Sequence, residues 1–428
     1  MWGQARLASV MKLAGGRKER RTRVWIGFEK YDVMLGESWI AASLLWLAGV
    51  GLRLTILAVP PVIPLIQADL HLSGTEIGVL TGLPIVLFGV AALPGSLLIA
   101  RFGAVAILVA GLTIAGIASA LRGAVPHTFA LYAATIVMGA GIAIMQPALP
   151  PLVRQWLPKR VSFATALYTN GLLVGETLAV MLTIPVVLPL ADNSWQWALA
   201  IWGVPLIMIA LLTVLLAPAG TDGQASSAQA SRAQAPTSGW PNWSNPLIWQ
   251  ISFIFGAINS VYFCSNAFLP GYLIGAGRAD LIAATLTALN LGQLPASFVL
   301  LGIAAKLENR AWPFIVCGAL MLACIAGMIS TASAWTIVFA AALGFLGAFV
   351  LTLGFALPAL LGAQSDVARM SAAMFTISYS EALLISVLSG AAWDAAGSAR
   401  FAFLPIALSA VPLLFMPLVI PFRRSAAV

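Results

Sequence analysis

Arg53 stands near the middle of the stretch 40–66, which contains no other charged residue. A guanidinium carries five N–H donors in a rigid fork that matches a carboxylate or another planar anion. At the centre of a membrane helix it costs roughly 2.5 to 3.5 kcal/mol on insertion scales, and such residues face a bundle interior or a watery cavity. Arg53 is therefore the candidate anion-recognising group, or else a structural cation paired with a buried acid. The two acids that can fill that role are Glu176 and Glu381, each inside an apolar stretch of its own. Burial and a nearby arginine act on a carboxyl in opposite senses. A carboxyl balanced between them can carry a proton alongside a solute, or remain a permanent partner of Arg53. Arg122, at the outer end of its stretch, either contributes to solute binding or snorkels to the interface.

Uncharged polar candidates are Gln146, Asn170, Asn259, Tyr262, Asn266, Asn290, Gln293 and Tyr379. Asn259, Tyr262 and Asn266 are spaced three and four apart, which places them on one helical face. That trio reads as cavity lining, whereas Asn290 reads as a plain interhelical hydrogen bond. Chemistry of other kinds finds no support. The three cysteines, Cys264, Cys317 and Cys324, lack metal-ligand spacing, and the two histidines, His71 and His127, fall singly in loops. No phosphate-binding loop is present. No cofactor or metal is expected, and an enzyme would need clustered acids, His or Cys that the chain does not offer.

The elements that must hold these residues follow from composition. Of 428 residues, 61% are hydrophobic and 8% charged, with mean hydropathy +0.98. Soluble domains carry about a quarter charged residues, so the chain belongs to the multi-pass membrane class. Apolar stretches recur at 40–66, 76–100, 104–125, 128–153, 161–190, 195–217, 246–274, 281–305, 312–330, 335–361, 368–392 and 401–420. Each is near the roughly 20 residues a helical span requires. Twelve spans put both termini on one side. Alternate assignment of the connections gives that side 18 Lys and Arg, against three on the other: Arg122, Arg278 and Arg400. By the positive-inside rule both termini are cytoplasmic. The same rule accounts for the basic run Arg17 to Arg23 and the net charge of +8, so no nucleic-acid partner is expected.

The organisation is that of two halves. A basic tail covers 1–37, six spans cover 38–217, and a linker rich in Ala, Ser, Gly and Gln covers 218–245. Six more spans cover 246–422, and 423–428 is a short tail. At an offset of 206 to 208 positions Pro64 meets Pro270, Arg53 meets Asn259, Gly95 meets Gly302, and Ala148-Leu149-Pro150 meets Ala356-Leu357-Pro358. Parallel repeats of six spans around a central path are the plan of major facilitator transporters.

Short motifs carry a narrower likeness. Gly51-Leu52-Arg53 followed by Val59-Pro60, Ser119 to Arg122, and Gly139 to Pro150 with Gln146 in its middle stand in the first, third and fourth spans. Ser260 to Phe263 with Ala267 to Leu273, and Trp393-Asp394 to Ser398, stand in the seventh span and the last outer turn. Together they resemble the cyanate and 2-nitroimidazole branch of the major facilitator superfamily over most of Gly51 to Phe403. Two departures stand out. Leu54 occupies a place where that branch usually has proline. Ala100 occupies the place of the acid in the superfamily's cytoplasmic loop motif, of which Gly95, Arg101 and Gly103 remain.

The resulting expectation is an all-α integral membrane protein with twelve helices in two pseudo-symmetric six-helix bundles. It would work as a secondary active transporter, a monomer in a bacterial inner membrane, carrying a small anionic or polar organic solute held by Arg53. Proton-coupled import is the first reading. Proton-driven export of toxic compounds, or a membrane sensor, are the alternatives.

Overall fold

The computed structural model describes residues 39–90, 92–124, 127–218, 243–307, 310–331, 333–362 and 367–422. The basic tail, most of the linker and the last six residues lie outside the described residues. Among the described residues every regular element is helical, as a hydrocarbon solvent demands, because only a helix satisfies its own backbone within one segment.

Eleven helices are long and apolar enough to span a bilayer. They are Trp39–Leu70, Ala104–Leu121, Thr128–Trp156, Phe163–Leu190, Trp195–Leu216, Pro246–Gly275, Ala279–Leu300, Trp312–Thr331, Trp335–Pro358, Arg369–Ala396 and Ala399–Val419. The expected second span is covered by Gly74–Val90 and Ala92–Phe102, on either side of Ala91. Counting that pair as one, the spans are numbered first to twelfth below.

The first span is broken twice. Pro60 and Pro61 have no N–H to donate to Ile56 and Leu57, so the helix stops at Leu57 and resumes as a tight turn, Pro60–Val62, before Ile63–Leu70. The other break lies at Leu52 and Arg53, whose N–H groups reach back three residues, to Gly49 at 3.1 Å and Val50 at 3.4 Å. Arg53 thus sits at a discontinuity, with φ −123° and ψ −16°. Broken membrane helices are tolerated where they line protein-enclosed space.

Within the first half, the third span packs on the fourth and sixth, and the first on the fifth. Gly171 and Gly175 of the fifth span allow that last contact. A Cβ on either would collide with the carbonyl of Trp46 or Val50. Small residues let membrane helices approach closely, and here they bring Glu176 alongside Arg53. Within the second half, the seventh span packs on the tenth and eleventh, and the ninth on the tenth and twelfth.

The halves join along three seams: second span on eleventh, fifth on eighth, and first on seventh. Along the first seam, Gly74 and Gly78 lie against the backbone of Gly390 and Ser386, and Gly89 against Thr376. From Gly74 to Gly89 that is about 22 Å of helix at 1.5 Å per residue.

At the end opposite the termini the seam is latched. Asp394, at the close of the eleventh span, accepts hydrogen bonds from the Gly74 and Thr75 amides at 2.6 and 2.8 Å and from the Thr75 hydroxyl at 2.6 Å. These amides open the second span, so the carboxylate of one half caps a helix of the other, where the helix dipole favours negative charge. Ser73 and Glu76 add a reciprocal capping box at the same terminus, at 2.8 and 3.2 Å.

Removing that cap should free the latched end. On a background without native cysteines, maleimide labelling of Ser386→Cys, a position 2% exposed on the seam, is expected to accelerate in Asp394→Ala. Loss of about 1 to 2 kcal/mol of capping corresponds to roughly 5- to 30-fold more open protein. Unchanged labelling would show that the carboxylate does not hold the halves together.

Candidate functional site

Arg53 is 7% exposed and lies where the first, second, fifth and seventh spans meet. Its Nε is 3.4 Å from Glu176 Oε1, close enough for ion pairing. Yet neither Nε nor Nη1 has a hydrogen-bond acceptor. Its faces are covered instead: Cζ lies 4.6 Å from the Phe88 ring centre and 5.4 Å from that of Phe263. Cation–π contacts of this kind contribute about 2 kcal/mol or more where water is excluded. The Phe88 ring is braced edge-on by Tyr379 at 5.5 Å, and Tyr379 is stacked on Phe375 at 6.0 Å. The guanidinium therefore occupies a slot with one aromatic wall from each half and with unused donors on its edge.

Glu176 is 3% exposed and connects Arg53 to the second half. Its Oε2 lies 2.8 Å from the Tyr262 hydroxyl and accepts from Gln293 Nε2 at 3.2 Å. The same hydroxyl lies 2.5 Å from Asn290 Oδ1. Asn290 Nδ2 donates to Asn266 Oδ1 and to the Leu286 carbonyl, both at 2.8 Å, and Asn266 Nδ2 donates to the Tyr262 carbonyl at 3.0 Å. Those two backbone carbonyls fix which way each amide faces. Asn290 Oδ1 is thus an acceptor that needs the tyrosine proton.

A phenol has one proton to give. If Glu176 is ionised, its Oε2 and Asn290 Oδ1 compete for it; when Asn290 takes it, Oε2 loses the phenol and keeps the Gln293 donor at 3.2 Å. If Glu176 carries a proton, it donates to the Tyr262 oxygen, Tyr262 donates to Asn290, and every member is satisfied. The network thus has two arrangements separated by a single proton.

The other sequence candidates lie apart from this network. Asn259 donates within its own helix, to the Phe255 carbonyl at 3.0 Å. Asn170 accepts from Trp46 Nε1 at 3.0 Å, a bond between the fifth and first spans. Gln146 sits half-buried in the turn Gln146–Ala148. Glu381 is not brought to Arg53: its Oε2 is buried without a hydrogen-bond partner and sits where a Cβ on Gly256 would be. Arg122 does not snorkel. It is 0% exposed, and its Nη2 donates to the Thr55 carbonyl at 3.0 Å and to Ser119 Oγ at 2.8 Å. Asn290, read as a plain interhelical bond, does bridge helices, but through the side chains that reach Glu176. Phe88, Phe263 and Asp394 were missed as functional groups. An aromatic in an apolar span carries no signal of its own, whereas Asp394 stood in a quoted motif.

Two helical halves of six spans, with charged and polar groups meeting at their seam inside a membrane-sized apolar shell, define a membrane transporter. The chain belongs to the Major Facilitator Superfamily, whose family profile matches residues 45–385. It is 26% identical over 358 residues to the uncharacterized transporter YycB of Bacillus subtilis (strain 168), covering 82% of this chain and 84% of that protein. Two transporters of Escherichia coli (strain K12) are also similar. The 2-nitroimidazole transporter is 30% identical over 236 residues, 55% of this chain and 58% of that protein. The cyanate transport protein CynX is 26% identical over 265 residues, 62% and 66%. Among solved structures, the inward open xylose transporter XylE from E. coli shares the fold with TM-score 0.71 at 12% identity, over 92% of this chain and 98% of that one. A bacterial homologue of the human lysosomal transporter Spinster, inward-facing and occupied, does so with TM-score 0.65 at 15% identity, over 93% and 99%.

The shared proton makes a double-mutant cycle informative. Tyr262→Phe removes the one donor that Asn290 Oδ1 has among the described residues and should lower stability by roughly 1 to 3 kcal/mol. Combining it with Asn290→Leu should cost less than the sum of the two, by about 0.5 kcal/mol or more. Additive losses in thermal or denaturant unfolding would show that the two side chains act separately.

Proposed function

We propose that this transporter is a secondary carrier that moves a small anionic or polar organic solute by alternating access, with Arg53 as the anion-binding group and protons as the coupling ion. The observation that carries this reading is the state of Arg53: buried, faced by Phe88 and Phe263, and short of acceptors at Nε and Nη1. A planar anion supplies the missing acceptors in the plane of the fork, and aromatic walls suit a flat solute.

Glu176 is then the competitor of the solute. Ionised, it neutralises Arg53 from 3.4 Å; protonated, it turns to Tyr262 and leaves the guanidinium to the incoming anion. Proton and solute thereby enter together, which supports import by symport. Glu381 is retained as a second candidate for proton movement, since its Oε2 is buried without a hydrogen-bond partner. Asn266 and Tyr379 serve the site through Asn290 and Phe88, while Gln146, Asn170 and Asn259 line the path as polar surface. The skew of Lys and Arg supports cytoplasmic termini; on this reading the latched end faces outward and the protein, a monomer in a bacterial inner membrane, is closed to the exterior. The relatives named for 2-nitroimidazole and cyanate are consistent with small, flat or linear solutes.

Thermal-shift screening of small anions on purified protein, followed by uptake into liposomes with and without a proton gradient, tests the site. Hits should lose at least tenfold in affinity in Arg53→Ala. In Glu176→Gln the same hits should stabilise more than in wild type, because the variant leaves a buried cation uncompensated, a situation costing about 3 to 5 kcal/mol. Uptake by that variant should no longer respond to the pH gradient. Hits that are indifferent to Arg53→Ala would remove the anion site. Gradient-driven uptake unaltered in both Glu176→Gln and Glu381→Gln would remove the coupling.

A further inference from the structure

Arg122 poses a different electrostatic problem. Its guanidinium is fully buried, and only Nη2 is hydrogen-bonded; Nε and Nη1 have no acceptor. Three of its five N–H donors are therefore unused. Among the described residues no carboxylate lies within ion-pair distance, and no aromatic face covers it. Removing an isolated cation from water costs several kcal/mol even after the protein relaxes. Arg53 meets that cost with Glu176 and two rings, whereas Arg122 has two neutral oxygens.

Arg122 borders a cavity. It lines a partly open space of about 20 Å³ together with Thr135, Thr81, Asn266 and Phe263. Thr135 Oγ1 is likewise buried without a hydrogen-bond partner. One water-sized particle needs about 10 to 15 Å³, so the space holds a single compact guest. Phe263 both lines this cavity and faces the Arg53 guanidinium at 5.4 Å.

We propose that this chamber is a resident site for a small monovalent anion of halide size, held by Arg122 Nε and Nη1 and the Thr135 hydroxyl. The anion supplies the charge that the protein does not, and it ties the third and fourth spans, which carry Arg122 and Thr135, to the seventh. The site is distinct from the Arg53 slot and does not depend on what that slot transports.

Bromide is the probe. Crystals of the full-length protein grown with bromide should show an anomalous peak within hydrogen-bond reach of Arg122 Nη1. In solution, protein exchanged into gluconate should gain thermal stability saturably on adding chloride or bromide, but not on adding sulfate at equal ionic strength. Half-saturation should rise at least tenfold in Arg122→Gln and Arg122→Lys, which lose the donor fork, and stay within threefold of wild type in Arg53→Gln. A chamber without anomalous signal, or stabilisation that follows ionic strength whatever the anion, means that it holds water and overturns the proposal. A bromide response abolished by Arg53→Gln but kept in Arg122→Gln assigns the effect to the other slot and overturns it equally. The anomalous measurement uses the unsubstituted protein, so poor folding of a variant leaves the result decisive.

Discussion

A guanidinium placed in a hydrocarbon slab must find acceptors, and the centre of this protein is arranged around a shortage of them. Arg53 sits at a break in its own helix, where neighbouring carbonyls bond within the turn rather than to the side chain. The nearest acid is 3.4 Å away and aligned with neither Nε nor Nη1 as a hydrogen bond. What compensates is shared between the two halves: Glu176 and Phe88 come from the first, Phe263 from the second. The charge therefore stays comfortable only while the halves are together on this side. That makes the seam energetically sensitive to whatever sits beside Arg53, which a carrier requires.

Close packing supplies the rigidity that such sensitivity needs. Gly171 and Gly175 bring the fifth span onto the backbone of the first, so Glu176 cannot drift from Arg53 without moving a whole helix. On the far side, Asn266 and Asn290 are pinned by backbone carbonyls of their own helices. Between these two banks stands the single hydroxyl of Tyr262, within reach of both Glu176 Oε2 and Asn290 Oδ1. Buried polar networks of this kind are costly when one member is unpaired. Glu176 is thereby connected across the seam to Tyr262 and Gln293 of the second half, and through Tyr262 to Asn290.

How much of this was legible in the sequence follows from what each signal measures. A lone arginine in 27 apolar residues marks itself, and the spacing of Asn259, Tyr262 and Asn266 gives a helical face. The face alone does not say which of the three reaches across: Tyr262 is long enough to meet Glu176, while Asn259 folds back on its own helix. Glu176 and Glu381 lie in corresponding spans of the two halves but are not placed alike. Under the repeat offset they fall two positions apart, and two residues turn a helix through about 200°, so Glu381 faces Gly256 instead of the centre. Arg122 at a helix end looked able to reach the interface. The depth of a helix end within a bundle is set by tertiary packing, which hydropathy does not encode.

The distribution of acids between the two ends of the molecule completes the argument. In the motif that the superfamily uses on its cytoplasmic loop, Ala100 stands in place of the acid, so that end lacks the charge that would otherwise grip a helix of the opposite half. At the other end Asp394 grips the second span through two amides and a hydroxyl. Three charge-assisted bonds on a helix N-terminus favour closure there, and nothing comparable stands at position 100 to oppose them. The latch thus favours the form seen here, with that end shut. The ion pair of Arg53 with Glu176 lies between these two ends, where the halves meet.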